Sequence, residues 1–453
     1  MSIPVQKNEI ILIDIVSIGE AGEGIGKLDG FTVFIHGAIP GDKVRAKIVK
    51  VKKAYAVGKL EQVVTPSADR VKAPCPYVDR CGGCQIQHVA YDAQLRYKNE
   101  SVQASMDRIG KIDIDVMPTI GMDDPFRYRN KGQYPVGGDA SAPKIGFFKA
   151  RTHEVIDVDV CLLQSKSADL AVNIIREELP KLKWPIYDEK KNKGFLRHIL
   201  IRTAYKTGDM MLVFVVKGNK LQGAHKLIDR LTVEVPDLKS IILNENKTKG
   251  NRVLGLKNKT IWGDDKITDY INDLSFEISP LSFFQVNPVQ TEKLYGKALE
   301  YAELTGEETV FDVYCGIGSI SLFLAQKAKK VIGVEIVEDA VKDAKANAVR
   351  NGLDNTEFHI GAAETVIPDL YDKGYKADVV VVDPPRKGCD EVVLQTIANM
   401  CPDRIVYVSC KPSTLARDLR ILEDLGYKTM KVQPVDMFPM TGHVETVVQL
   451  TKQ

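Results

Sequence analysis

Three short stretches in the last third of the chain carry side chains with conspicuous chemistry. Cys410 lies in VSCKP, at the end of a β-branched run, with Ser409 and Lys411 beside it and Pro412 closing the turn. A thiolate is a strong nucleophile, and a strand end that faces a ligand crevice exposes it. A buried structural cysteine is the plain alternative. Glu445, in GHVETVV, begins a final apolar strand and can serve the same crevice as a general base. Asp383-Pro384-Pro385 follows a run of valines. Two prolines stiffen an extended turn and present the Asp and nearby carbonyls to a planar partner, an arrangement with no role in hydride transfer.

A fourth stretch, Thr309 to Glu335, reads as a buried strand, a glycine turn, a helix and a second strand ending in an acid. That is the opening of a doubly wound α/β domain that holds a nucleotide-like cofactor at a strand-to-helix turn. Gly316 and Gly318 let the backbone approach a ligand, Ser321 stands where a dinucleotide fingerprint has its third glycine, and Glu335 can accept both hydroxyls of a ribose. Alone, the stretch fits a nicotinamide, a flavin or S-adenosylmethionine. Gln285 precedes Asn287-Pro288-x-Gln290, a helix-start signature, and its amide can orient a ligand beside that domain.

The eight cysteines are unevenly placed. Cys75, Cys81 and Cys84 fall in a C-x5-C-x2-C pattern with intervening glycines, and Cys161 is the only other cysteine before the nucleotide-binding stretch. Clustered thiols in an intracellular chain favour a metal or cluster site. Four soft ligands suit zinc or an iron–sulfur cluster, and His88 is a further candidate ligand.

The elements that must position these groups follow from patterning. At 453 residues the chain calls for two to four domains. Residues 1–65 show short strands with glycine turns, the rhythm of a small β-barrel. Within it Lys43, Arg45 and Lys47 alternate with Val44, Ala46 and Ile48, so one strand face is basic. That face is either merely solvated or grips phosphate backbone. Apolar Leu95, Val102, Met106 and Ile109 predict a helix from Tyr91 to about Ile109. Phe126 to Lys131 interleaves aromatic and basic residues, as single-stranded nucleic acid would require, although a strand edge reads the same way. Strands through residue 275 make a central α/β domain, 66–275, with EKKNKG as a charged loop. From 276 to 453, β-branched strands alternate with helices, the form of a mostly parallel sheet covered on both faces. No apolar run is long enough to span a bilayer and no leader is evident, so a cytoplasmic protein is expected.

FFQVNP, FDVYCGIGS, VEIVEDAV, DPPRKG, YVSCKP and GHVETV occur in that order, and together they resemble the RNA (uracil-5-)methyltransferases of the RumA/TrmA type across essentially the whole chain. The resemblance implies a TRAM barrel, a central domain and a Rossmann-like methyltransferase domain that uses S-adenosylmethionine. It implies Cys410 as nucleophile, Glu445 as base, and cofactor contacts at Gln285, Tyr314, Glu335 and Asp383. It also implies a [4Fe–4S] cluster on Cys75, Cys81, Cys84 and Cys161, in a structural or RNA-positioning role. Because barrel and cluster mark the 23S rRNA branch, the expected product is 5-methyluridine in 23S rRNA. A tRNA uridine and, further off, a nicotinamide-dependent iron–sulfur oxidoreductase are the alternatives. The expected partner is RNA presenting a single-stranded or flipped uridine, bound by a monomer with no obligate protein partner and no membrane contact.

Overall fold

The computed structural model describes residues 3–453. The chain forms two compact units: residues 1–78, 84–125 and 381–453 make one, and 79–83 with 126–380 the other.

In the first unit, β1 (Ile10–Ile18), β2 (Gly24–Leu28), β3 (Phe31–His36), β4 (Lys43–Val51) and β5 (Tyr55–Thr65) close into a barrel in the order β1-β2-β3-β5-β4. Closure leaves no unpaired edge. Val44, Ala46 and Ile48 point into its core with Ile13, Ile15, Val33 and Ile35. Lys43, Arg45 and Lys47 stay at least partly exposed, so the alternation read from sequence is realised. Helix α1 (Tyr91–Ser105) follows and runs into a wider turn, Met106–Gly110, closed by Lys111 at φ 52°. Its buried face differs from the predicted stripe. Val102 and Met106 are buried, but Ile109 is exposed while Gln94 and Lys98 are fully covered. Their partners explain this: Lys98 Nζ meets Asp436 Oδ1 at 2.5 Å, and the Gln94 amide bonds Val89 O and Met440 N.

The second unit holds a seven-stranded sheet of β6 (Lys131–Gly138), β7 (Pro143–Phe148), β8 (Val155–Asp157), β9 (Leu196–Thr203), β10 (Met210–Val216), β11 (Leu238–Glu245) and β12 (Lys257–Gly263), ordered β12-β11-β10-β9-β6-β7-β8. Helices α2 (Lys166–Leu182) and α3 (His225–Glu234) complete its core. The basic–aromatic run before β6 turns inward. Tyr128 is buried, Arg127 pairs with Asp169 at 2.5 Å, and burial together with Arg202 and Arg129 lowers the Lys131 ammonium to about 7. Those side chains are therefore framework.

After the hairpin β13 (Ile267–Ile271) and β14 (Leu274–Ile278), α4 (Pro288–Ala302) starts where its caps predict: the Asn287 side chain accepts from Gln290 N, with Pro288 at the first position. Then β15 (Thr309–Val313), α5 (Ser319–Ala325), β16 (Lys330–Glu335), α6 (Glu338–Arg350), β17 (Thr356–Ile360) and α7 (Ala363–Asp372) wind a parallel ladder in the order β17-β16-β15. On β18 (Val379–Val382) the chain passes back to the first unit. There α8 (Glu391–Met400), β19 (Arg404–Ser409), α9 (Pro412–Asp424), β20 (Tyr427–Val435) and β21 (Glu445–Lys452) follow, with β21 antiparallel to both β19 and β20. An N-terminal barrel and a C-terminal Rossmann-like methyltransferase fold are thus present, as the sequence predicts. Strand β20 is an addition, since lysines at every few positions hide its alternation.

Candidate active site

Strand register brings the proposed nucleophile and base together. In the β19–β21 ladder Arg404 faces Thr451 and Ser409 faces Thr446; one further step sets Cys410 opposite Glu445. Directly opposed residues on antiparallel strands carry side chains about 5 Å apart. Cys410 is half-buried and Glu445 is buried. Burial, then the charges of Glu445 and Asp383, push the Cys410 thiol up to about 11, while Arg386 opposes them. Burial and Asp383 likewise hold the Glu445 carboxyl well above the usual carboxylate range, again against Arg386. Cys410, Glu445, Asp383 and Arg386 are therefore one electrostatic cluster.

The Asp383–Cys389 turn is held from below. Asp418, fully buried on α9, accepts from Cys389 N at 2.8 Å and Tyr407 Oη at 2.6 Å, and Arg417 bonds both Asp418 and Lys387 O. Thr414 Oγ1 bonds Arg386 O. The turn that carries Arg386 is thus fixed to the helix that follows Cys410.

The loop leading into Glu445 is clamped as well. Asp436 receives Lys98, Tyr91 Oη and Phe438 N, and Met440, at φ 69°, is tied by Gln94 and by Gln85 and Ile86 N–H groups on its carbonyl. A Cβ on Gly442 would stand 2.6 Å from Gly22 N and 2.9 Å from Glu20 O. The β1–β2 turn of the barrel therefore lies backbone to backbone against the loop that delivers Glu445. Half-buried His443 is in the same place: burial, Arg386 and Lys98 lower its pKa, and Glu20 opposes them. Sequence reasoning missed Arg386, Lys98, Asp436 and His443. Only Arg386, inside the DPPRKG turn, had a signal.

The cofactor residues read from sequence lie in the other unit, except Asp383. Glu335 ends β16, and its two carboxylate oxygens accept from Gly316 N at 3.1 Å and Val337 N at 2.8 Å. The acid and the glycine turn are thereby joined, and each oxygen keeps a lone pair for a ribose hydroxyl. Tyr314 ends β15 at φ 72°, its N–H on Val334 O, and space around Gly316 is open where a Cβ would be. Asp312, missed by the sequence reading, is fully buried; its Oδ2 takes the Ser321 hydroxyl, and its Oδ1 has no partner. Burial pushes this carboxyl up to about 7, opposed by its Ser321 bonds. An open glycine turn, an oriented acid and an orphaned acceptor fit S-adenosylmethionine. Gln285 is fixed through its backbone, whose carbonyl accepts from Asn130 Nδ2.

The iron–sulfur expectation fails. Among the described residues no group of three or more His, Cys, Asp or Glu is arranged to hold a metal ion. Cys84 Sγ accepts from Gln87 Nε2, whose amide oxygen takes Cys75 N, and Cys81 Sγ accepts from Gly83 N. Burial pushes the Cys161 thiol up to about 11, with Asp169 and Cys81 adding to it. Cys75, Cys81, Cys84 and Cys161 are not assigned to a [4Fe–4S] or zinc site.

Residues 90–453 match the family described as tRNA (uracil-5-)-methyltransferase, and residues 4–60 match the TRAM domain. A Clostridium tetani protein described as an uncharacterized RNA methyltransferase is 54% identical over 99% of this chain and 98% of its own length. A Halalkalibacterium halodurans protein of the same description is 52% identical over 99% and 98%. Among solved structures, the Pyrococcus abyssi tRNA (uracil-54, C5)-methyltransferase in complex with S-adenosyl-L-homocysteine matches with TM-score 0.80 and 28% identity, over 97% of this chain and 100% of that one. These matches overturn the assignment to the 23S rRNA branch: an alignment of that extent takes in the barrel, so the barrel does not set rRNA enzymes apart.

Proposed function

We propose, from the fact that this chain belongs to the tRNA (uracil-5-)-methyltransferase family, that it methylates C5 of a uridine in tRNA through a covalent bond from Cys410 to C6. Its coarse chemistry is S-adenosylmethionine-dependent methyl transfer, with RNA as partner. The observation that supports the finer reading best is the register of Cys410 against Glu445, with Arg386 beside both.

C5 of uracil is a poor nucleophile, and addition of the Cys410 sulfur to C6 gives C5 carbanion character. The thiol rests protonated; it gives its proton to solvent before it adds, leaving Glu445 as an unprotonated carboxylate, and the Arg386 charge favours the thiolate so formed. Bound S-adenosylmethionine supplies an electrophilic methyl group. Glu445 then takes the C5 proton; its raised pKa makes its carboxylate a stronger base than an exposed one. The electrons of the C5–H bond form the C5–C6 double bond and expel the Cys410 thiolate. Gln285, Tyr314, Glu335 and Asp383 are assigned to holding the cofactor. The uridine must leave its stack, so contacts elsewhere have to offset unpairing. The same reading takes the enzyme as a cytoplasmic monomer.

Incubation with 5-fluorouridine-substituted tRNA and a 23S rRNA fragment tests it, because fluorine cannot leave as a cation and the adduct is trapped. A denaturation-resistant adduct with tRNA, mapped to Cys410, is expected, and uracil 54, the site named for the Pyrococcus protein, is the position to examine first. Attachment at Cys389 or Cys315, or an adduct with the rRNA fragment alone, would overturn it.

A further inference from the structure

A cavity of about 890 Å³ opens in the second unit, around β6, β9 and the loops at 187–190 and 249–253. That volume lies in the range of small-molecule and nucleotide sites. Its floor comes from an irregularity in the sheet. Val215 pairs with His198 but Val216 pairs with Leu196, so Arg197 is an extra residue on β9. Such a bulge breaks the alternation that sends neighbouring side chains to opposite faces. Arg197 and His198 accordingly both line the cavity.

Both are incompletely satisfied. Arg197 is 3% exposed, yet its guanidinium donates only to the carbonyls of Asn246, Thr248 and Gly250; no carboxylate pairs with it, and Nε has no partner. A cation this buried is costly; the Glu189 charge and the Tyr187 ring offset part of that cost, and an anion or a carbonyl oxygen would relieve it further. His198 Nδ1 is buried without a partner too, and burial with the Arg197 charge lowers this imidazole to about 4. It is thus a neutral ring at ordinary pH.

The walls add flat surfaces and free positive charge. Phe148 and His153 stack at 5.1 Å and 21°, and Arg197 lies 4.3 Å over the Tyr187 ring. Of the acids in the lining, Glu189 bonds His153 and Asp188 pairs with Lys191, whereas Lys190 and Lys249, also in the lining, have no ion-pair partner among the described residues. Aromatic faces beside unpaired cations are what a base and its phosphate require.

We propose that this cavity holds one unstacked nucleotide of single-stranded RNA, distinct from the methylated uridine, with its base against Phe148 and His153 and its phosphate toward Arg197, Lys190 and Lys249. The proposal rests on RNA being the partner, and supplies one of the contacts that offset unpairing of the target. It also gives a role to the EKKNKG loop, which the methyl-transfer chemistry leaves unused.

Full-length wild type, Phe148→Ala and the double variant Lys190→Ala/Lys249→Ala are compared by fluorescence anisotropy. The probes are a labelled single-stranded oligoribonucleotide and the same strand in a duplex, with UMP and AMP as competitors. Phe148→Ala should weaken single-strand binding about tenfold or more. The lysine variant should weaken it and flatten its salt slope by about one phosphate-equivalent per lysine. Duplex binding should be left nearly unchanged by Phe148→Ala. Unchanged single-strand affinity in both variants overturns the proposal, as does an equal loss for duplex. Displacement of the oligonucleotide by UMP or AMP alone would make this a free-nucleotide site and overturns it too. Trapping by 5-fluorouridine tRNA is measured on the same proteins: a wild type that forms no Cys410 adduct defeats the methyl-transfer reading without touching this result.

Discussion

Cys410 and Glu445 are the residues next beyond the Ser409–Thr446 pair that ends the β19–β21 ladder, and the Glu445 charge acts on the Cys410 thiol. Thirty-five positions apart in the chain, they are brought together by a register that cannot slip. Six of the eight residues of β21 are buried, and a one-residue slip would exchange the two faces on which its side chains pack. The closeness of Cys410 and Glu445 thus rests on the packing of a core strand.

From that opposition, Glu445→Gln should add to uracil and methylate, then stall, because C5 loses its proton only after the methyl has arrived. Turnover should fall roughly 10²–10⁴-fold, with a methylated RNA–protein adduct accumulating on denaturing gels. Cys410→Ala should give no adduct. Normal turnover by Glu445→Gln would hand the proton to another base or to water.

Arg386 opposes the burial and the two carboxyl groups that push Cys410 up to about 11. A positive charge favours the thiolate, so Arg386→Ala should move the pH profile of Cys410 alkylation by iodoacetamide to higher pH. At neutral pH the alkylation rate should fall roughly threefold to tenfold. Since Arg386 is exposed, salt should diminish the difference. A profile that stays put, or moves down, would remove Arg386 from the cluster.

A Cβ at Gly442 meets only backbone, of Gly22, Glu20 and Ala21. Backbone cannot yield as a side-chain tip does, so Gly442→Ala should shift the loop that delivers Glu445. A displacement of about 1 Å costs on the order of a hundredfold in rate. The expected signature is slower adduct resolution with S-adenosylmethionine affinity intact, read by single-turnover kinetics and calorimetry.

Lys98 and Asp436 form a buried pair, 2% and 0% exposed. Lys98→Ala leaves Asp436 buried without its cation, with Tyr91 and Phe438 N among its remaining partners, and should cost about 3–5 kcal/mol in urea unfolding. Adding Asp436→Asn should recover part of that loss, and the double-mutant cycle measures the coupling. Equal midpoints for wild type and Lys98→Ala would show the pair to be energetically idle.

Much of this was legible in the sequence because it is local. The alternation of Lys43 to Ile48 marks a barrel strand, and Asn287-Pro288 marks a helix start. What escaped depends on pairing across the chain. Lys98 reads as a solvent-facing residue until Asp436 is beside it, and Ile109 reads as core until it proves exposed. The bulge that aims Arg197 is a property of how β9 meets β10. The cysteines misled for the same reason. Spacing reports that Cys75, Cys81 and Cys84 are dense, but convergence on a metal is a three-dimensional fact, and among the described residues no such group is arranged. The 23S rRNA assignment failed by treating the barrel as a branch marker.

The Lys98–Asp436 pair also sets a timetable for synthesis. Its partners are 338 residues apart, and at about 5–20 residues per second a ribosome needs roughly twenty to seventy seconds to make what lies between. The barrel and α1 emerge early, yet α1 exposes an ammonium, and the β1–β2 turn a bare flank, until residues 436–442 arrive. Long-range closure of this kind is slow relative to local folding. Nascent chains should therefore stay protease-sensitive around α1 for that interval, and nucleophile and base meet only when the fold closes on itself from both directions.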